Sequence, residues 1–265
     1  MSNNPSPKKS LGQHWLHDEL SLEAMVASAG VESGDTVLEI GPGLGTLTAT
    51  LLSCGAHVIA VEFDHELAKA LPGRFNHDHL QVIEQDILSF DFTQLPAGYK
   101  VTANIPYYLT SNLLRVMCES TNPFSTAALL IQKEVAERVV AKPGDMSLLS
   151  VSVQFYCNVG LGPVVPAELF TPPPKVDSQI LMLEYRDIPL YPDVDTKAFF
   201  KLVKAGFSER RKKLRSSLAG GLHISKPEAE ALLVKAGIDP NLRAQALRLD
   251  DWHNLYVAHE HTDNR

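Results

Sequence analysis

Short apolar, β-branched runs alternate with stretches whose apolar residues recur at helical spacing through the first two thirds of the chain. Residues 36–40 (Thr-Val-Leu-Glu-Ile) read as a buried strand, followed by glycines and a helical stretch carrying Leu47, Leu51 and Leu52. Residues 58–61 form a second strand and 64–71 a second helix; 81–83, 100–103 and 127–131 are further strands, the last followed by a helix over 133–141. Strands that alternate with helices predict a parallel, doubly wound sheet, an α/β fold. Residues 148–155 and 176–183 are read as late strands, antiparallel at one edge. Beyond Pro189 and Pro192 only helical periodicity remains, in Phe199/Leu202/Val203, Leu214/Leu218, Leu232/Leu233 and Leu255/Tyr256. Pro227 and Asp239-Pro240 punctuate helix starts there. The pattern divides the chain into an α/β domain, 1–187, and a smaller all-helical domain, 188–265.

Composition adds constraints. A 265-residue chain that is 45% hydrophobic can bury one good core and a smaller second one. No apolar run approaches the roughly 20 residues of a membrane span, and no signal-peptide pattern follows the polar start at 2–7, which is read as disordered. Cys54, Cys118 and Cys157 form no CxxC pair, so a disulfide-free, metal-free protein of the cytoplasm is expected. The histidine pairs His14/His17, His77/His79 and His259/His261 lack any HExxH or Cys/His companion and read as solvated. Net charge is −7, yet 196–216 carries eight basic residues against Glu209 alone, which is +7 and leaves −14 for the rest. Such a local positive face can attract a polyanion at a chosen place, or be no more than a solvated helix surface.

Candidate chemistry sits at the strand ends. Glu39-Ile40-Gly41-Pro42-Gly43-Leu44-Gly45 lies between a strand and a helix, where glycines let the backbone approach a ligand. A dinucleotide fingerprint requires glycine at 46, and Thr46 stands there, so the spacing suits a cofactor without a pyrophosphate. Glu62 ends the second strand, where a carboxylate accepts from both hydroxyls of a ribose. Asp86 ends the third, placed to accept from an adenine amine while Ile87 covers a ring face. Three such features at successive strand ends fit S-adenosylmethionine.

Asn104-Ile105-Pro106-Tyr107 ends the fourth strand, beside the same crevice. The nitrogen of an aromatic amine is a poor nucleophile because its lone pair is delocalised into the ring. The Asn104 side-chain carbonyl and a backbone carbonyl of Ile105 or Pro106 can each accept one of its N–H groups, fixing it opposite a methyl donor. Pro106 has no N–H to compete, and Tyr107 can stack on the base. Phe170, ahead of Thr171-Pro172-Pro173-Pro174-Lys175-Val176-Asp177-Ser178, is read as a second aromatic wall facing Tyr107 across the target base. Lys8-Lys9-Ser10-Leu11-Gly12-Gln13-His14-Trp15-Leu16 is read as a lid over the cofactor.

These segments, in this order, resemble the KsgA-type ribosomal RNA adenine dimethyltransferase family, from Lys8 to about His259. The matching pieces are KKSLGQHWL, EIGPGLG, VIAVEFD, QDIL, NIPY, IQKEVAERV, FTPPPKVDS, FSERRKKLRSSL and IDPNLRAQAL. The resemblance implies a Rossmann-like class I methyltransferase sheet with a helical rRNA-binding domain, S-adenosylmethionine as cofactor, and two methyls placed on each of two adjacent adenines near the 3′ end of 16S rRNA during small-subunit maturation. It implies cofactor contacts at His14, Leu16, Gly41, Glu62, Asp86 and Asn104, and target-base contacts at Asn104, Pro106, Tyr107 and Phe170. It also implies rRNA contacts on a basic helix carrying Arg210, Arg211, Lys212, Lys213 and Arg215, in a monomeric protein. Three departures stand out: Trp15 for the usual Phe, a shortened 142–151 that lacks Tyr-Gly-Arg, and Gln245 for the usual Glu.

Two other readings use the same fold. A large-subunit rRNA adenine methyltransferase shares the chemistry, but FTPPPKVDS and IDPNLRAQAL favour the small-subunit type. A non-catalytic RNA-binding assembly or transcription factor would have no use for the intact EIGPGLG, Glu62, Asp86 and NIPY. A nicotinamide dehydrogenase is disfavoured by Thr46 and by the lack of a hydride-transfer His or Lys constellation.

Overall fold

The structure, a computed structural model, describes residues 7–8, 11–75 and 78–263. The polar start at 2–6, Lys9 and Ser10 of the first motif, and His77 of the second histidine pair lie outside the described residues. The chain forms two compact units. One comprises residues up to 137 together with 157–185; the other comprises 138–156 and 186 onward.

In the first unit the strands are β1 (Trp15–Leu16), β2 (Thr36–Ile40), β3 (His57–Glu62), β4 (Leu80–Glu84), β5 (Lys100–Asn104), β6 (Thr126–Gln132), β7 (Cys157–Val165), β8 (Phe170–Thr171) and β9 (Ser178–Tyr185). Seven of them build one sheet in the order β4-β3-β2-β5-β6-β9-β7. The pairs from β4 through β6 are parallel, and β9 runs antiparallel to both β6 and β7. Helices α1 (Glu19–Ser28), α2 (Thr46–Ser53), α3 (His65–Arg74), α4 (Thr110–Cys118) and α5 (Lys133–Val139) connect the strands, α5 ending across the boundary between the units. Val37, Leu38, Val58, Ala60, Val101, Ala103 and Ala127 to Ile131 are all buried, as the continuous apolar runs of a two-sided parallel sheet require. The chain winds outward through β2, β3 and β4, then restarts at β5 on the other side of β2. That reversal opens a crevice beyond the carboxyl ends of β2 and β5.

The second unit is helical: α6 (Leu148–Gln154), α7 (Thr196–Phe207), α8 (Leu214–Leu222), α9 (Lys226–Lys235) and α10 (Leu249–Asp263). Its core gathers Phe155, Phe199, Leu214, Leu218, Leu233, Trp252 and Leu255. Asp195 caps α7 through the Ala198 amide, and Ser225 with Glu228 forms a reciprocal capping box that starts α9 around Pro227. Asp239-Pro240 starts no helix; Asp239 instead accepts from the Asn241 amide in a turn, and α10 begins ten residues after Asp239.

Two expectations are corrected here. The expected strand over 148–155 is instead the helix Leu148–Gln154, ended by Phe155: Ser147 and Ser150 form a capping box, and one face buries Val151 against the helical core. The strand that pairs with β9 is β7, which follows that helix. The boundary near residue 187 falls at Tyr185/Arg186, and 138–156 belongs to the helical unit, not to the sheet. Cys118 and Cys157, distant in sequence, meet in the sheet unit with sulfurs 3.9 Å apart as free thiols. No helix among the described residues is long and apolar enough to cross a membrane, and no cluster there suits a metal ion.

Candidate active site

A cavity of about 350 Å³ occupies the crevice at the carboxyl ends of β2, β3 and β5, with residues after β4 and the segment around β1 completing its wall. His14, Leu16, Gly41, Glu62, Asp86, Asn104, Pro106 and Tyr107 all line it, so the fold assembles eight of the nine expected catalytic and cofactor residues.

Three glycines shape the floor. Gly41, Gly43 and Gly45 have φ of 66°, 56° and 82°, left-handed values that other residues reach only with strain. The turn carries the Gly43 amide to Glu62, donating to Oε2 at 3.0 Å, while the Asp64 amide donates to Oε1 at 2.9 Å. Each carboxylate oxygen therefore holds one backbone donor and keeps a free lone pair, which fits the two adjacent hydroxyls of a ribose. Burial pushes the Glu62 carboxyl up, against the pull of the Asp64 and Gly43 amides. Asp86 caps a short turn by accepting from the Leu88 amide through Oδ1 at 2.9 Å, which leaves Oδ2 to accept from an amine.

At the other end, the Asn104 amide nitrogen donates to the His14 carbonyl at 2.9 Å. A carbonyl can only accept, so the Asn104 NH₂ is committed to that side and its Oδ1 remains an acceptor. Pro106 closes a turn by accepting from the Leu109 amide at 2.9 Å. The Ile105 carbonyl has no partner among the described residues, so of the two backbone acceptors expected it is the unengaged one. The Tyr107 ring lies 6.1 Å from that of His14 at an interplanar angle of 22°, with its hydroxyl 2.9 Å from Ser178 Oγ. His14 is not a solvated histidine; its Nδ1 lies 2.6 Å from the Pro172 carbonyl and must donate to it.

Phe170 does not reach the cavity. Within β8 it pairs with Leu16, and both side chains point into the apolar core, leaving Phe170 3% exposed and Thr171 outside. Alternation along a two-residue strand permits only one inward face, and the phenyl ring takes it. The basic residues do not form a helix either. Arg210 to Lys213 sit in the exposed turn between α7 and α8, and Arg215 is the second residue of α8. Lys213 donates to Asn241 at 2.8 Å and Arg215 pairs with Glu230 at 3.1 Å, whereas Arg210, Arg211 and Lys212 have no side-chain partner among the described residues.

Sequence reasoning missed Glu39. It is 1% exposed behind the glycine turn, accepts from Thr48 Oγ1 at 2.6 Å, and is lifted by burial to about 8. Its place at an inward position of an otherwise apolar strand was the available signal. Phe63 and Tyr108, each 61% exposed, flank the cavity beside Glu62 and Tyr107 and were also missed.

The chain matches the family described as Ribosomal RNA adenine dimethylase over residues 4–260. It is 44% identical over 256 residues to Ribosomal RNA small subunit methyltransferase A of Dehalococcoides mccartyi (strain CBDB1), covering 95% of this chain and 88% of that protein. To the protein of the same name from Streptococcus pneumoniae (strain P1031) it is 37% identical over 264 residues, with 95% and 91% covered. Among solved structures, a dimethyladenosine transferase from Plasmodium falciparum superposes with a TM-score of 0.80 at 27% identity, covering 94% of this chain and 98% of the other. The 23S rRNA methyltransferase ErmE gives 0.71 at 27% identity, with 92% and 98% covered. A Rossmann-like sheet, a crevice fitted to S-adenosylmethionine and a match spanning nearly the whole sequence together make this chain a member of the ribosomal RNA adenine dimethylase family.

Proposed function

We propose that the protein dimethylates the N6 amines of two adjacent adenines near the 3′ end of 16S rRNA, as a step in small-subunit maturation. The small-subunit relatives support the choice of substrate. S-adenosylmethionine supplies an activated methyl group on a sulfonium, so the residues here need to align the acceptor nitrogen more than to deprotonate it. Glu62 and Asp86 hold the ribose and adenine, and Gly41 with Leu16 and His14 encloses the cofactor. Asn104 Oδ1 and the Ile105 carbonyl each accept one N–H of the adenine amine, which turns the nitrogen lone pair toward the methyl. Pro106 fixes the turn, and Tyr107 offers its ring face to the extruded base. Arg210, Arg211 and Lys212, with Lys213 and Arg215, hold rRNA phosphates. Free thiols and a ribosomal substrate support the cytoplasm.

The observation that carries this reading is the commitment of the Asn104 NH₂ to the His14 carbonyl, which leaves Oδ1 as an acceptor beside the cofactor cavity. Asn104→Ala should lower single-turnover methylation of small subunits by about 100-fold or more at saturating cofactor, the scale of losing a positioning group. Subunit binding should fall by less than about tenfold, because phosphate contacts carry most of the affinity. Methylation at near wild-type rate would reduce the tetrapeptide to a turn. Dimethyladenosine appearing in isolated large subunits, and not in small ones, would reassign the substrate.

A further inference from the structure

The groups that face the target amine are held from outside their own tetrapeptide, by one segment that also belongs to the sheet. Residues 170–178 leave β8 and enter β9 at Ser178, which is fully buried. Ser178 pairs with Gln132 of β6 on one side and with Val165 of β7 on the other, so it is fixed from both edges. The preceding residue is fixed as well. The Asp177 carbonyl accepts from the Lys133 amide, and its carboxylate accepts from the Ala167 amide, each at 3.0 Å. From this frame two ties reach the active site. Ser178 Oγ meets the Tyr107 hydroxyl at 2.9 Å, and the Pro172 carbonyl accepts from the His14 ring at 2.6 Å. The His14 carbonyl in turn accepts from the Asn104 amide at 2.9 Å.

We propose that Ser178 and His14 are positioning residues for methyl transfer, Ser178 setting where the long axis of the Tyr107 ring points and His14 the direction of the Asn104 amide. With its hydroxyl tied to Ser178, Tyr107 is held as part of the cavity wall. The hydroxyl oxygen lies on the long axis of the ring, so one hydrogen bond from a strand paired on both sides fixes the direction of that axis, and the half-buried surroundings of the ring restrict rotation about it. For Asn104, the alternative amide orientation would set two carbonyl oxygens against each other, so the His14 carbonyl selects the productive one. Pro172 holds that carbonyl in place through the His14 ring. This proposal rests on the reading of Asn104 and Tyr107 as the groups that hold the target base.

The test is a set of single-turnover methylation rates measured with small subunits and cofactor both saturating. Ser178→Ala and Tyr107→Phe remove the same bond from its two ends, and each should slow the reaction about fivefold, the scale of one neutral hydrogen bond. The double variant should be no slower than either single one, because the bond can be lost only once. His14→Leu should slow the reaction to a similar extent, and His14→Asn, which keeps a donor, should recover most of the rate. Cofactor affinity, measured by calorimetry, should stay within about twofold for Ser178→Ala and Tyr107→Phe, a change of less than one hydrogen bond. A Ser178→Ala rate equal to wild type overturns the proposal, and so does a double variant slowed by the product of the single effects. Failure of Asn104→Ala to slow the reaction would instead overturn the underlying reading, so the two failures are told apart.

Discussion

Glu62 and Glu39 are carboxylates 23 residues apart in sequence that face the same cavity from adjacent strands, and their surroundings set them to different tasks. Glu62 holds two backbone donors and keeps two lone pairs toward the cavity; Glu39 holds one hydroxyl and is otherwise sealed. Glu62→Ala should therefore weaken S-adenosylmethionine by about 1.5–3 kcal/mol, the value of hydrogen bonds to a charged acceptor, as calorimetry would read. Unchanged affinity would remove Glu62 from the ribose site. Glu39 should be visible in stability and not in ribose binding. Burial lifts its carboxyl from 4.5 to about 8, so the folded state keeps a proton that the unfolded chain has released. Between pH about 5 and about 8 the folded form then binds more protons, and stability falls as pH rises. Glu39→Gln still accepts from Thr48 but does not titrate. Its melting temperature should drop less than that of wild type between those pH values, and an identical drop would assign the pH dependence to other groups.

Elements pack here by close backbone approach, and glycines mark the places. In α8, a Cβ on Gly221 would lie 2.5 Å from the Cα of Ala205 in α7, whereas one on Gly220 would meet nothing nearer than 3.8 Å. The same substitution should therefore have opposite signs at neighbouring positions. Gly221→Ala forces two helices apart and should cost about 1–3 kcal/mol in denaturant unfolding, while Gly220→Ala should add about 0.5–1 kcal/mol through helix propensity. Equal effects at both positions would mean that the helices do not meet there. Two departures from the family pattern also explain each other at this scale. Gln245 donates from Nε2 to the Gly144 carbonyl at 2.8 Å, and the Gly144 and Met146 amides donate back to the Gln245 carbonyl. A Glu at 245 has no N–H to donate, so the shortened 142–151 segment and the amide form one local arrangement. The helix over 148–154 was illegible for a related reason. Val151 and Val153 alternate like strand residues, and what decides for helix is the Ser147/Ser150 capping box together with a core drawn largely from distant residues, Tyr191 to Ala258.

For the whole molecule, charge carries the clearest expectation. An acidic chain of net −7 presents Arg210, Arg211 and Lys212 in an exposed turn, with no acidic side chain holding them among the described residues. Replacing the three with Ala should weaken small-subunit binding and flatten the slope of log affinity against log salt by about 0.7–0.9 per lost phosphate contact. Cofactor affinity should not move. A wild-type salt slope would leave the turn as a solvated surface. Much of this protein could be read without coordinates. The strands β2 to β6, the glycine turn, Glu62, Asp86 and the Asn104 tetrapeptide were legible because each is local: an apolar run, a turn chemistry, an acid at a strand end. The carboxyl ends of parallel strands then bring such residues together whatever the intervening helices contain. What lies between distant segments was decided by the tertiary structure alone. Phe170 turned inward because its two-residue strand pairs with Leu16, 154 positions away, and not because of anything in its own neighbourhood. Glu39 became a buried, proton-holding carboxyl because β3 and β5 flank its strand, and His14 became a strut because Pro172 and Asn104 arrive on either side of it. Periodicity reports which face of an element is apolar; which partner meets that face, and how dry the meeting leaves a polar group, depends on the packing of the whole chain.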